Sequence, residues 1–272
     1  MMLWFSLFLV GMAGYLSYRY AWWKGAVDYR YPRILMYHMI KEHRGGKFKG
    51  LRVSPEMFEK QIRYLSEQGW HFYTMSELVA QRKNLPKHSV AITFDDGYED
   101  NYTQAFPILK KYGAKATIYL VTDRHGREWS SRRKAKNSGG ELMREPKLSD
   151  TQVEEMIASG LIEIGSHTVT HDNLPQLESA DKREEIIGSK EALEKRFGIR
   201  CLSFCYPFGL YDEEDVRLVQ EVGYTNAVTT QSGIEDMRNA DLFRLKRITV
   251  SGKDNFSAFW LKLRHGRRGV RK

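Results

Sequence analysis

The sequence predicts an α/β fold, a seven-stranded but incomplete (β/α) barrel with an N-terminal membrane segment. Three observations lead there. Strand-like and helix-like stretches alternate along the chain, which argues for a parallel sheet, and seven or eight such units suit a barrel better than an open sheet. A chain of 272 residues, 42% hydrophobic, is long enough to bury one sizeable core. Finally, the adjacent carboxylates Asp95 and Asp96 end an apolar run and precede Gly97. That places them at a strand's carboxyl end, where parallel α/β folds hold their chemistry.

Residues 1–18 carry no charged side chain, and Leu3, Trp4, Phe5, Leu7, Phe8, Leu9 and Val10 make the stretch strongly apolar. Tyr15, Tyr18, Tyr20, Trp22 and Trp23 follow as an aromatic cluster of the kind found at membrane interfaces. The organisation expected is a transmembrane anchor or uncleaved signal over 1–23, a linker over 24–32, one domain over 33–260 and a basic tail over 261–272. A positive n-region is missing and Gly11-Met12-Ala13 is a poor cleavage site, which favours an uncleaved segment. Arg19, Lys24, Arg30 and Arg33 follow the span, and the positive-inside bias would keep that side cytoplasmic.

A strand is expected over 33–37, ending at His38, then a polar loop over 41–50. Ser54 is an N-cap with Pro55 at the first helical position, and Phe58, Ile62 and Leu65 recur at helical spacing up to Gly69. Strands follow over 70–73 and 89–94, separated by a short helix over 76–81. In the second strand Val90, Ile92 and Phe94 alternate with the smaller Ala91 and Thr93 and with Asp95. Pro107 makes the helix over 101–112 irregular. After a strand over 115–121, residues 122–147 read as a long loop near the site mouth, with Arg127, Arg132, Arg133, Lys134 and Lys136 close together. Ser149 and Gln152 form a capping box for the next helix. Strands over 162–166, 201–206, 226–229 and 243–250 and helices over 178–197 and 212–222 complete the pattern. The only cysteines, Cys201 and Cys205, would share one strand face about 13 Å apart, too far for a disulfide.

The formal charge of +9 suits an anionic partner, a membrane surface or an acidic polymer. No zinc-finger spacing or aromatic-basic RNA-binding pattern accompanies it, so no nucleic-acid partner is expected.

The chemistry is carried by two stretches. Asp95-Asp96-Gly97 alone is ordinary turn chemistry. The stretch Gly165-Ser166-His167-Thr168-Val169-Thr170-His171 adds two histidines four apart, which one helical turn would place on one side. Two imidazoles and a carboxylate suit a divalent transition metal with positions left for water and substrate.

From about residue 34 to 250 the sequence resembles the polysaccharide deacetylases of carbohydrate esterase family 4, the NodB-homology fold. Thr93-Phe94-Asp95-Asp96-Gly97 matches the family's first motif, 166–171 its second, and Phe204-Cys205-Tyr206-Pro207-Phe208-Gly209 looks like its third. The resemblance implies that Asp95 is the catalytic base, and that Asp96, His167 and His171 hold a divalent metal, Zn2+ first, with Co2+, Ni2+ or Mn2+ as other fits. It also implies an oxyanion donor in the Phe208 N–H and a sugar site formed by Tyr206, Pro207, Phe208 and Gly209. Cys205 departs from the pattern, standing where many members carry a base-orienting Arg, and Arg247 is a candidate substitute. The late Leu-x-His motif is absent. Leu35-Met36-Tyr37-His38 instead resembles the subgroup acting on poly-N-acetylglucosamine, in which an early histidine, here His38, protonates the leaving amine. The function implied is hydrolysis of N-acetyl groups in a cell-envelope or extracellular polysaccharide by a single-pass membrane protein with its domain outside the cytoplasm. A catalytically inactive envelope-glycan-binding protein, and a metal amidohydrolase with a non-sugar substrate, are the alternatives.

Overall fold

Ten strands and nine helices are found among the described residues, which are 2–20, 23–126 and 140–267 of a computed structural model. The strands are β1 (Arg33–Tyr37), β2 (Met39–Ile40), β3 (Arg52–Val53), β4 (His71–Tyr73), β5 (Ser89–Asp95), β6 (Ala116–Leu120), β7 (Ile162–Ser166), β8 (Ser203–Cys205), β9 (Asn226–Ser232) and β10 (Leu245–Thr249). The helices are α1 (Met2–Tyr20), α2 (Pro55–Glu67), α3 (Met75–Ala80), α4 (Phe106–Tyr112), α5 (Asp150–Ala158), α6 (Ser179–Arg183), α7 (Ser189–Phe197), α8 (Glu213–Glu221) and α9 (Phe256–His265).

Seven parallel strands close on themselves, in the order β1-β10-β9-β8-β7-β6-β5, because β1 pairs with both β10 and β5. The barrel is therefore complete, where the sequence suggested a gap. β4 is an eighth strand outside the ring. It pairs with Ser89, Val90 and Ala91 of β5, and β6 pairs with Ile92 to Asp95 farther along.

Strand alternation divides the core in two. Val90, Ile92 and Phe94 point outward into the layer under the helices, with Phe58, Ile62 and Leu65 of α2 and Leu109 of α4. Ala91 joins Ile34, Tyr119, Cys205, Val228 and Leu245 inside the barrel. Met75, Leu78 and Val79 of α3 belong to this inner cluster, so α3 stoppers the barrel's lower end. Glu163 of β7 receives the helix from inside, accepting the Ser76 N–H at 2.9 Å and hydroxyls of Thr117 and Ser203 at 3.0 and 2.7 Å. Cys201 precedes β8 and lies in the outer layer, whereas Cys205 is in the inner cluster, so the two free thiols do not share a face.

The caps read from sequence are in place: Ser54 accepts the Met57 N–H, and Ser149 and Gln152 cap each other at α5. Pro107 has no N–H to give the preceding turn, and the chain there winds as a π-helix over Asn101–Ala105 before α4 begins. The long helix expected over 178–197 is present as one continuous run from α6 through α7, with a π turn, Glu184–Gly188, inside it.

Two terminal expectations are corrected. None of the described helices is long and apolar enough to cross a membrane. α1 has 19 residues, and Ser6, Gly11, Gly14, Tyr15, Ser17, Tyr18 and Arg19 dilute its apolar run. Its Trp4, Phe5, Phe8 and Val10 are exposed. The tail expected over 261–272 is helical as far as His265. Asn255 caps α9, and Phe259, Leu261 and Leu263 bury themselves on it. Residues 268–272 and the basic cluster of Arg127 to Lys136 lie outside the described residues.

Candidate active site

At the end of β5 the chain turns through two left-handed residues, Asp96 (φ 77°) and Gly97 (φ 70°). A Cβ at Gly97 would meet Leu120 Cδ1 at 2.3 Å, so a side chain here would displace Leu120 and strain the left-handed backbone, both of which glycine avoids. The turn sends the neighbouring carboxylates in different directions. Asp95 keeps the strand's inward direction and meets Arg247 of β10, whose Nη1 and Nη2 donate to its Oδ1 and Oδ2 at 2.7 and 2.8 Å. Asp96 faces the histidines. Its Oδ1 is 3.5 Å from Nε2 of both His167 and His171.

The segment 167–171 is a non-helical turn, contrary to the helical reading, in which Thr168 (φ 68°) and His171 (φ 61°) are left-handed. Of five non-glycine residues with positive φ among the described residues, four are Asp96, Thr168, His171 and Phe208. For a β-branched Thr this is costly, and such strain gathers where function over-determines the backbone. The turn is held from outside. Glu185, in the π turn after α6, accepts from the Thr170 N–H at 2.9 Å and the Thr170 hydroxyl at 2.5 Å. The Thr168 hydroxyl accepts the His171 N–H at 3.0 Å. Nδ1 of His167 donates to the Cys205 carbonyl at 2.7 Å, which in the neutral imidazole leaves Nε2 as the unprotonated nitrogen facing Asp96.

Asp96, His167 and His171 are buried, and one ligand atom of each lies within 4.8 Å of the others. Burial alone would raise the Asp96 pKa, but the imidazoles around it, His167 foremost, hold it well below the usual carboxylate range. Burial, reinforced by His167, pushes His171 down to about 3, keeping it a neutral donor. Two imidazoles and an ionised carboxylate fit a divalent cation. Asp95, His167 and Cys205 come equally close together. There, however, Arg247 occupies both Asp95 oxygens, and the His167 Nδ1 is bonded to the Cys205 carbonyl.

Arg247 is fully buried. Its remaining donors reach the Thr229 carbonyl at 2.9 Å, Thr93 Oγ1 at 3.0 Å and Cys205 Sγ at 3.3 Å. The register between β9 and β10 slips between Leu245 and Arg247, beside the Thr229 carbonyl that accepts Nε–H. Burial would raise the Asp95 carboxyl, and Arg247 outweighs it and lowers the pKa. His38, just past β1, brings Nε2 to 4.0 Å from Asp95 Oδ2.

In the third motif, Phe208 (φ 58°) sets its ring 4.6 Å from the His171 ring, near-perpendicular to it. Gly209 is left-handed beside Thr230, where a Cβ would lie 2.1 Å from Oγ1. Tyr206 does not wall the mouth. It is fully buried in the outer layer, with its hydroxyl on the Phe243 carbonyl at 3.1 Å, and Pro207 is buried beside it. Gly165 makes room for Tyr119: a Cβ there would sit 2.7 Å from that ring. The sequence reading missed the support that Glu185 gives Thr170 and the contact of Thr93 with Arg247.

Residues 82–227 match the family described as Polysaccharide deacetylase. YxkH of Bacillus subtilis is 34% identical over 88% of this chain and 78% of its own length. The poly-beta-1,6-N-acetyl-D-glucosamine N-deacetylase of Staphylococcus epidermidis is 30% identical over 75% of this chain and 70% of its own. Among solved structures, the Streptococcus pyogenes deacetylase PplD in complex with acetate aligns with a TM-score of 0.71 at 27% identity, covering 88% of this chain and 99% of that one. With the match spanning more than half of the chain, and the relatives aligned along most of it, the chain belongs to the polysaccharide deacetylase family, the NodB-homology domain of carbohydrate esterase family 4.

Proposed function

We propose that this hydrolase removes N-acetyl groups from N-acetylglucosamine units of a cell-envelope or extracellular polysaccharide, releasing acetate and leaving free amines. One observation carries the reading: of two adjacent carboxylates, Asp96 joins the two-histidine donor set while Asp95 is held apart by Arg247. The name of the Staphylococcus epidermidis relative supports the sugar.

Asp96, His167 and His171 would hold the cation, for which Zn2+ is the first choice and Co2+, Ni2+ or Mn2+ the others. When bound, such a cation acidifies a water and polarises the acetyl carbonyl. In this reading Asp95 takes the proton of the attacking water. The Phe208 N–H donates to the oxyanion that forms, and an oxyanion donor of this kind typically contributes ~3 kcal/mol. An amide nitrogen has to gain a proton to leave, and His38 supplies it. Arg247 fixes the orientation of Asp95 and does the work of the guanidinium that position 205 lacks, which removes the motive for an inactive glycan-binding reading. The domain then acts outside the cytoplasm, where such polymers lie.

Acetate release from N-acetylglucosamine oligomers, with and without chelator, tests the proposal. Release abolished by chelator and restored by Zn2+ is the expected result. No release with any of the four cations would refute it.

A further inference from the structure

The residue assigned to protonate the leaving amine sits on a short connection between β1 and β2, and two side chains from another part of the chain grip that connection. Asn101 is fully buried, and its Nδ2 donates to the His38 carbonyl at 2.8 Å and to Asp100 Oδ1 at 3.1 Å. The same Asp100 oxygen accepts the Ile40 N–H at 2.7 Å. The peptides on either side of Met39 are thus tied to one amide–carboxylate pair. Met39, the first residue of β2, is itself fully buried, which pins the strand end next to His38. The clamp lies in the turn that leaves β5, five residues after Asp96 at its farthest, and the π-helix that begins at Asn101 sets the pair's direction.

We propose that Asn101, with Asp100, is a positioning residue for His38: it couples the proton donor for the leaving group to the same β5 turn that carries Asp95 and Asp96. This rests on the deacetylase reading and deepens it. The chemistry gives the clamp a particular signature. Expulsion of a sugar amine needs a proton at nitrogen, whereas expulsion of 4-nitrophenolate does not, because that anion is stable when it departs. A misplaced His38 therefore slows amide cleavage and spares cleavage of an activated acetyl ester at the same site. A merely structural contribution of Asn101 would slow both alike.

The experiment compares the full-length wild type with Asn101→Ala, His38→Ala and the double variant. Each is loaded with Zn2+ and assayed on an N-acetylglucosamine oligomer and on 4-nitrophenyl acetate. For Asn101→Ala the expected outcome is a loss of roughly 10- to 100-fold in kcat/KM on the oligomer and less than about threefold on the ester, at unchanged zinc content. His38→Ala shows the same split, and the double variant is no worse than His38→Ala, since a clamp has no effect on a donor that is gone. Equal losses on both substrates, or additive losses in the double variant, overturn the proposal. If Asn101→Ala does not fold, Asp100→Ala, which frees the Ile40 side of the clamp, is read for the same split. Wild type that releases no acetate from the oligomer while hydrolysing the ester refutes the deacetylase reading itself, an outcome distinct from an active wild type with an indifferent Asn101→Ala.

Discussion

Arg247 reaches from β10 across the barrel interior and grips both oxygens of Asp95, although the two residues are 152 positions apart. Position 205 accommodates this crossing: its thiol is small enough to leave the guanidinium a place, with Sγ at 3.3 Å from Nη2. A guanidinium at that place has two possible origins, β8 or β10, and this chain uses the second.

The exchange can be tested directly. Arg247→Ala is expected to lose roughly 100-fold or more in kcat with zinc content unchanged, because the base loses both its orientation and its charge partner. Adding Cys205→Arg to that background should recover at least about tenfold. Steady-state acetate kinetics decide the matter, and a double variant as inactive as Arg247→Ala would show that the two positions are not interchangeable.

Asp95 and Asp96 differ in what they hold, so their removal should differ in kind. Asp95→Asn is expected to retain zinc and lose about 10²- to 10⁴-fold in turnover. His167→Ala should lose the metal and the turnover together. Metal analysis of the dialysed proteins separates the outcomes; equal metal loss in both would mean the roles are misassigned.

Glu185 does not face the cation site, yet it holds Thr170, the residue directly before His171, by backbone and side chain. Glu185→Ala is expected to weaken zinc binding by about 10- to 100-fold, the usual effect of losing a support behind metal ligands. Glu185→Gln, which keeps an acceptor, should fall between it and wild type. Competition with a chromogenic chelator measures this, and unchanged affinity in Glu185→Ala would count against the support role.

Burial pushes the Asp100 carboxyl up to about 6, helped by Glu145 and opposed by the Ile40 N–H, Lys41 and Arg52. The folded protein then binds this proton more tightly than the unfolded chain, whose aspartates titrate near 3.9. The group's contribution to stability is fully present below about pH 4 and is lost as pH rises through 6. Asp100→Asn should remove that dependence, so its stability relative to wild type should improve by about 2 kcal/mol between pH 4 and pH 8. Urea unfolding at the two pH values checks it, with no relative change as the contrary result.

The strands were legible because alternation such as that of β5 is a local pattern, and the Ser54 and Ser149 caps announced their helices for the same reason. Barrel closure was not legible, since it depends on β1 pairing with β5 and β10, which local periodicity does not encode. α9 was overlooked because Arg264 and its basic neighbours masked the spacing of Phe256, Phe259 and Leu263 behind the Asn255 cap. At the site, residue identities were readable and directions were not. Tyr206 looked like a sugar platform, but β8 turns it outward, away from the barrel interior. The histidine pair converges through left-handed backbone at Thr168 and His171, a conformation that side-chain identity at those positions would argue against.

Because Met75, Leu78 and Val79 of α3 join the packed side chains inside the barrel, the interior is a solid plug and not a channel. Asp95, Asp96 and the two histidines therefore stand on the floor of one open face, and whatever they act on has to approach and withdraw from that side.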